Sequence, residues 1–246
     1  MNISFDNIPS VSTDLLKRHK SSNLYISETL KTTLQETYWS VVFVDGRDHT
    51  NSIKTLKYSS WEESFRLISP WTDGCIIYDI PSKKDISLAV PLADCWWIWF
   101  HNTSWDLIWI AHAWHLWTSR DIVWEIFTQL PDWEEIKNMT FYLAPMVWKD
   151  YEFSLSDYQN NFSEVFKKYS FNPSKYFTRI NPEKWYLNLK QMIMDTLLYH
   201  WVERKDIEAS EIGTNDIKNW YASHRMYTIT WDKKFEWRNL FIVSKK

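Results

Sequence analysis

Apolar runs that close on polar or turn-forming residues divide the chain into candidate β-strands. Their β-branched and aromatic side chains favour the extended conformation. The runs lie at 40–46, 74–80, 85–95, 105–113 and 139–147, and two further runs close the chain at 207–212 and 238–244. The first of these runs ends in an Asp-Gly pair, which is typical of a turn.

Amphipathic stretches alternate with the candidate strands and predict helices. These candidate helices are 118–130, 154–170 and 187–200. In the first of them Ile122, Ile126 and Leu130 are spaced four residues apart, behind residues that can cap a helix. Because strands and helices interleave without the strict order of βαβ units, we predict an α/β fold in which a mixed β-sheet sandwich is flanked by helices. We expect a single domain over 1–246, with only a weak pattern in 1–35.

The balance of tryptophan and glycine is far from normal. The 246 residues include 18 Trp and 3 Gly, although a globular domain of this length carries roughly 17 glycines. Several tryptophans also stand where the local pattern asks for glycine. Trp201 follows an amphipathic helix at the position of a left-handed C′ residue. Trp231 precedes an aspartate between "YTIT" and "KKF", a pattern that predicts a hairpin turn.

We therefore hypothesise that most of these tryptophans are glycines in the native protein, through a genetic code in which UGA encodes glycine. Trp105, between two candidate strands, and the crowded run "WWIWF" at 96–100 fit the same interpretation. The alternative is a genuinely tryptophan-rich chain whose indoles form an aromatic surface for ligands. The codons of the gene distinguish the two, because UGG at these positions would encode tryptophan.

Charge and hydropathy exclude several classes of protein. The 28 basic and 31 acidic residues give a net charge of −3 without a basic stripe, so the footprint of a nucleic-acid-binding protein is absent. The N-terminal region lacks the apolar core of a signal peptide, and no uncharged run reaches the roughly 20 apolar residues that span a bilayer. Cys75 and Cys95 do not make a disulfide framework. We expect a cytoplasmic protein that binds small molecules, and neither nucleic acid nor membrane.

The centre of the chain carries the motifs of a known family once tryptophan is read as glycine. An ADC tripeptide at 93–95 is followed by "HAWHLW" at 112–117, which then reads HAGHLG. The segments 142–153, 207–216 and 221–243 continue the likeness in the same order. On these motifs the chain resembles the YfiH-type laccase-domain family. Its members are known as multicopper polyphenol oxidoreductases and as zinc-dependent purine nucleoside phosphorylases with adenosine deaminase activity. The likeness runs from about residue 40 to the end of the chain.

The resemblance implies a Zn²⁺ site at His49, Cys95 and His112, which would also be the catalytic residues. Imidazole and thiolate are ligands that zinc prefers, and catalytic zinc sites keep a fourth position open. Cys95 and His112 each end an apolar run, where strand ends present side chains to a shared cleft. Taken singly, His49 also fits a surface loop, Cys95 a small buried apolar residue and His112 a core histidine. Cu²⁺ is the other metal that such a site would take.

The resemblance further implies that His115, Arg225 and Arg238 contact the substrate. The two arginines match the C-terminal motif of the family and suit phosphate or sugar oxygens, although surface ion pairs would explain them as well. Leu116 stands where the family has an arginine. His115 therefore either replaces that cation or is a solvated loop residue. Asp94 either orients a metal-bound histidine or caps a turn.

The function implied by the resemblance is that of a zinc-dependent purine nucleoside phosphorylase, with adenosine deamination as a second activity of the same site. Its partners would be phosphate and a purine nucleoside such as adenosine or inosine. One alternative is a copper-dependent polyphenol oxidase, or laccase, although one cysteine and two or three histidines cannot supply the several copper ions that a multicopper laccase requires. Another is a catalytically degenerate nucleoside- or sugar-binding protein. The sequence does not indicate the oligomeric state.

Overall fold

The computed structural model of the chain describes residues 3–11, 16–18, 24–26, 28–38, 40–44, 53–58, 65–68, 72–92, 94–104, 106–113, 118, 121–130, 136, 138–145, 151–154, 156, 161–214, 224–231 and 238–245. Within these residues, runs of consecutive strands are interrupted by short helices. None of the helices formed by the described residues has the length and apolar character needed to cross a membrane.

The strands are, in chain order, β1 (Ile3–Val11), β2 (Leu16–Arg18), β3 (Leu24–Ile26), β4 (Val41–Val44), β5 (Ile53–Lys57), β6 (Phe65–Ile68), β7 (Gly74–Tyr78), β8 (Ile86–Leu92), β9 (Trp96–Asn102), β10 (Ile108–Ala113), β11 (Met139–Leu143), β12 (Tyr151–Ser154), β13 (Phe177–Arg179), β14 (Lys184–Leu187), β15 (Ile207–Ala209) and β16 (Arg238–Lys245). The α-helices are α1 (Glu28–Thr37), α2 (Ile122–Thr128), α3 (Ser163–Tyr169), α4 (Leu189–Tyr199) and α5 (His224–Thr230).

Two large sheets form the centre of the fold. The five-stranded sheet has the order β1-β16-β8-β4-β6, and the six-stranded sheet has the order β15-β11-β9-β10-β7-β5. Both sheets are mixed. The pairs β9–β10 and β8–β16 are antiparallel, whereas β4–β8 and β11–β15 are parallel. A three-stranded sheet, β12-β14-β13, and the β2-β3 pair complete the described strands.

The two large sheets face each other across an apolar layer. Val42, Val90 and Val243 of the five-stranded sheet share a core cluster with Trp99 and Ile110 of the six-stranded sheet. Helix α1 covers the outer face of the five-stranded sheet, and α2, α3 and α4 cover the outer face of the six-stranded sheet. Each sheet therefore buries one face against the other sheet and one against helices, which confirms the predicted mixed-sheet sandwich flanked by helices.

Three segments differ from what the sequence pattern suggested. The tetrapeptide "YTIT" belongs to helix α5, so the predicted hairpin is wrong and Trp231 follows a helix instead. The predicted helix 154–170 is shorter, because Tyr151–Ser154 is a strand and α3 begins at Ser163. The crowded run 96–100 forms most of β9. This strand is buried along its whole length, which is where a continuous apolar run is stable.

Candidate functional site

Cys95 and His112 lie side by side at neighbouring ends of two central strands. Strands β9 and β10 are antiparallel, with His112 opposite Trp97 in the register, and Cys95 directly precedes β9. The sulfur of Cys95 is in hydrogen-bonding contact with the His112 ring. His112 is 2% exposed and Cys95 is half-buried. The pairing of β9 with β10 therefore brings together two of the three predicted metal ligands.

A buried carboxylate that the sequence pattern did not reveal fixes the His112 ring. Asp73 directly precedes β7, the other neighbour of β10, and has no exposed surface. Its Oδ1 lies 3.4 Å from Nδ1 of His112, and its carbonyl oxygen accepts a hydrogen bond of 2.7 Å from the backbone N–H of His112. Asp73 thus holds both the backbone and the ring of His112, as carboxylates commonly do for histidines that bind metals.

The neighbouring charges decide the protonation of His112. Burial by itself disfavours the imidazolium ion, but the negative charges of Cys95 and Asp73 outweigh burial and raise the pKa of His112 to about 9. At neutral pH the His112 ring beside Cys95 is therefore protonated in the absence of a metal. The negative charges of Cys95 and Asp73 would also stabilise a divalent cation at this position. A metal would take the place of the proton, because ligands give up their protons when they bind a metal.

Asp94 stabilises the turn that carries Cys95. Its backbone is left-handed, with φ 72°, and its Oδ1 accepts a 2.8 Å hydrogen bond from the hydroxyl of Thr214. Both side chains are buried. This contact ties the segment that follows β15 to the turn in front of β9. Of the two roles open to Asp94, the structure shows the turn, and the carboxylate beside the histidine is that of Asp73.

The other predicted site residues are placed only in part. His49 and His115 lie outside the described residues. Arg225 belongs to helix α5 and Arg238 begins β16, and for both the description covers the backbone alone. Within the described part of the chain, no cluster of three or more His, Cys, Asp or Glu side chains has the arrangement of a metal site. Of the three predicted ligands, the structure therefore describes only Cys95 and His112.

An indole packs against His112 from the neighbouring strand β9. The rings of Trp97 and His112 are stacked, with centroids 5.0 Å apart and planes at 24°. The Nε1 atom of Trp97 is buried and finds no hydrogen-bond partner among the described residues, as is also true of Trp96 and Trp109. Each such buried donor costs roughly 1–3 kcal/mol. Glycine at position 97 would remove one unsatisfied donor and would open the space beside His112.

Two exposed tryptophans have the backbone conformation of a glycine that ends a helix. The φ angles are 72° at Trp201 and 54° at Trp231, and both residues directly follow the last turn of a helix. The amides of Trp201 and Val202 donate to the carbonyls of Leu198 and Leu197, which completes a Schellman motif. Position 201 therefore has the conformation that the glycine hypothesis requires. Position 231 has it too, although at a helix end and not in a hairpin.

Comparison with known proteins places the chain among relatives of one fold. Residues 25–231 match the family model described as multi-copper polyphenol oxidoreductase laccase. The structure is similar to that of the hypothetical protein YfiH of Bacillus licheniformis, with a TM-score of 0.64 and 20% identity over 89% of this chain and 80% of that one. It is also similar to YlmD from Geobacillus stearothermophilus, with a TM-score of 0.63 and 19% identity over 83% and 73% of the two chains. For protein NMB0706 of Neisseria meningitidis the TM-score is 0.66, with 14% identity over 97% and 93%. None of the curated proteins matches the chain by sequence.

Proposed function

Because the chain belongs to the multi-copper polyphenol oxidoreductase laccase family, we propose that it is a metal-dependent enzyme that acts on purine nucleosides. The reaction proposed is phosphorolysis. An oxygen of phosphate forms a bond to C1′ of the ribose, the bond from C1′ to the base nitrogen breaks, and its electron pair leaves with the base, which takes up a proton. Hydrolytic deamination of adenosine is the second reaction proposed for the same site.

The observation that supports the proposal is the Cys95–His112 pair with Asp73 behind it. A thiolate and an imidazole form a donor set that suits Zn²⁺. The carboxylate of Asp73 lies 3.4 Å from Nδ1 of His112, so a metal would be bound through the other ring nitrogen, Nε2. The residues present therefore fit zinc. His49, from outside the described residues, is the third ligand of the proposal.

A bound zinc ion would supply Lewis-acid chemistry at this position, and the residues of the chain would supply its surroundings. Cys95 and His112 would hold the ion, and Asp73 would keep the His112 ring in one orientation. The burial of His112 and Asp73 excludes water from this side of the site and strengthens the electrostatic interactions within it. His115, Arg225 and Arg238 remain the proposed contacts to phosphate and sugar.

The test is chromatography of inosine and adenosine after incubation with zinc-loaded protein, with and without phosphate. We expect free base to appear from inosine only when phosphate is present. Cys95→Ser should abolish the release, whereas Cys75→Ala, which removes the buried cysteine of β7 and leaves both proposed ligands in place, should retain it. If neither base release nor deamination occurs with the parent protein and with a Trp97→Gly variant, the proposal is wrong.

Copper chemistry is the second candidate, and the name of the family favours it. A cysteine and a histidine also suit Cu²⁺, which binds N/S sites more tightly than zinc does. A multicopper oxidase needs several copper ions, whereas the chain holds 2 Cys and 7 His in total, and Cys75 is fully buried in the inter-sheet core. Oxidation of a phenol by the copper-loaded protein, lost in Cys95→Ser, would favour this candidate. A protein that binds nucleosides but turns over neither substrate would be the degenerate member considered above.

A further inference from the structure

A cavity of about 370 Å³ lies between the two large sheets, and it is separate from the proposed metal centre. Neither Cys95 nor His112 lines it. An apolar cavity of about 150 Å³ already admits benzene, and sites for small molecules typically have volumes of roughly 300–1,000 Å³. The cavity between the sheets therefore has room for a ring that carries a short chain.

One row of side chains across four strands forms the floor of the cavity. Glu208 on β15 is opposite Tyr142 on β11, and Tyr142 is in turn opposite Trp99 on β9. Trp99 is opposite Ile110 on β10. Residues that are opposite each other in register project from the same face of a sheet. The floor therefore runs from a carboxylate on the edge strand β15 to an aliphatic side chain in the middle of the sheet.

The wall that faces this row is apolar. Val90 on β8 is opposite Phe241 on β16, and both line the cavity from the five-stranded sheet. An aromatic ring bound between the sheets could make offset-stacked or edge-to-face contacts with Phe241 and Tyr142. The glycine hypothesis does not alter these walls, because glycine at position 97 or 99 would widen the cavity and leave Tyr142, Phe241 and Glu208 in place.

Glu208 carries the only charge among the described residues that line the cavity. Its side chain is exposed, so the carboxylate lies at the mouth and not in the apolar interior. A cation is present nearby, since Nζ of Lys190 donates a 2.8 Å hydrogen bond to the carbonyl of Ser210. That lysine forms its ion pair with Glu211, at 2.7 Å. The charge of Glu208 is therefore available to a ligand.

The two titratable rings beside Glu208 are neutral. Burial, reinforced by the carboxylate of Glu208, raises the pKa of Tyr142 to about 12. Burial also lowers the pKa of His101, whose ring is stacked on that of Tyr142 with centroids 6.1 Å apart. At neutral pH the phenol is protonated and the imidazole is uncharged. A single negative charge therefore stands at the end of an aromatic and aliphatic cavity.

We propose that this cavity is a second binding site, for an organic ammonium ion that carries one apolar ring. The ammonium group lies at Glu208, and the ring lies between Tyr142 and Phe241. The carboxylate accepts a charge-assisted hydrogen bond from the ammonium group, and the face of the Tyr142 ring attracts the same cation. A neutral ligand of the same shape lacks both interactions. An anion would be repelled by Glu208.

The test is isothermal titration of 2-phenylethylamine into the protein, compared with the neutral 2-phenylethanol and the anion 3-phenylpropanoate. We expect the amine to bind at least about fivefold more tightly than the alcohol, because an exposed ion pair and a cation–π contact each contribute modestly. The anion should not bind measurably. Glu208→Gln should reduce the ratio of amine to alcohol affinity to about twofold or less, since the cation–π contact alone remains. The matched control is Glu164→Gln, an exposed carboxylate on α3, which should leave the ratio unchanged.

A pair of variants at Tyr142 tests the aromatic wall. Tyr142→Phe keeps the ring and should retain the affinity for the amine within about twofold. Tyr142→Leu removes the ring and should weaken binding of the amine by roughly two- to tenfold. Equal affinity of the amine for these two variants would show that the ring of Tyr142 does not contact the ligand.

The titration is run on the unaltered chain and on Trp97→Gly, which widens the cavity. Failure of the amine to bind either protein, equal affinity for amine and alcohol, or a ratio that survives Glu208→Gln would overturn the proposal. If Trp97→Gly does not fold, the unaltered chain and its Glu208→Gln variant decide alone. Selective binding of the amine without base release from inosine would keep this site and remove the proposed phosphorolysis. Base release without selective binding of the amine would do the reverse.

Discussion

Replacement of both Trp201 and Trp231 by glycine is expected to stabilise the protein, although it removes two large side chains. Both residues have a positive φ, 72° and 54°. Their side chains contribute little burial, since they are 80% and 74% exposed. Each directly follows the last turn of a helix, where glycine is the residue that adopts the left-handed conformation without strain.

The magnitude follows from the cost of the backbone conformation. A left-handed L-residue costs roughly 1–2 kcal/mol, and the greater freedom of glycine in the unfolded chain takes back about 0.4–1 kcal/mol. Replacement of Trp231 also removes an edge contact with Tyr227, whose ring centroid lies 5.9 Å from that of Trp231. The net gain is therefore about 1 kcal/mol per site, and about 2 kcal/mol for both raises Tm by roughly 4–8 °C in a chain of this length.

Thermal and urea denaturation of the double variant measure this gain. Ser170→Gly is the matched control for conformation, because Ser170 ends α3 with φ 54° and is not a tryptophan. We expect a gain of similar size per site. Trp124→Gly is the opposite control, since Trp124 lies inside α2, where glycine costs about 1 kcal/mol. A double variant whose Tm is unchanged or lower, while Ser170→Gly gains, would refute the reasoning.

Three further predictions concern other parts of the molecule. Iodoacetamide should label Cys95 and spare Cys75, which has no exposed surface and whose pKa burial raises to about 12. Zn²⁺ added beforehand should protect Cys95 from this label. Mass spectrometry measures the labelling of each thiol, and equal labelling of the two would contradict the proposed metal site at Cys95. Tyr169→Phe should lower the free energy of unfolding, measured in urea, by about 1–3 kcal/mol. The reason is that the Tyr169 hydroxyl donates to Asp121 and lies 2.9 Å from Nε2 of His200. An unchanged free energy of unfolding would show that these contacts do not stabilise the fold. The codons at most of the tryptophan positions should be UGA, and UGG at these positions would end the glycine hypothesis.

Elements with a strong periodic pattern could be predicted from the sequence. Helix α4 was expected at 187–200 and lies at Leu189–Tyr199, because Asn188 caps its start and a Schellman motif ends it. The segment "YTIT" was wrongly predicted to belong to a hairpin. β-Branched residues favour strands only weakly, and the surrounding structure overrides this preference. In helix α5 the hydroxyl of Thr230 bonds to the carbonyl of Met226, which satisfies the threonine within the helix.

The site could be predicted only as far as its residues carry a motif. Cys95 and His112 stand in motifs, and the structure places them in contact. Asp73 could not be found in this way, because it lies 39 residues from His112 in the sequence. The two meet only because β7 and β10 are neighbours in the sheet. The cavity likewise exists only where two sheets pack, since β11, β15 and β16 contribute its walls from distant parts of the chain.

The most direct test of the metal centre is an anaerobic titration of the purified protein with Co²⁺, followed by absorption spectroscopy. Co²⁺ takes up the N/S sites that bind zinc, and its bond to a thiolate gives an intense charge-transfer band. We predict this band with a single ion per chain, its loss in Cys95→Ser, and about 10–100-fold weaker binding in Asp73→Asn. Absence of the band in the parent protein, or its survival in Cys95→Ser, would contradict a metal centre at Cys95 and His112.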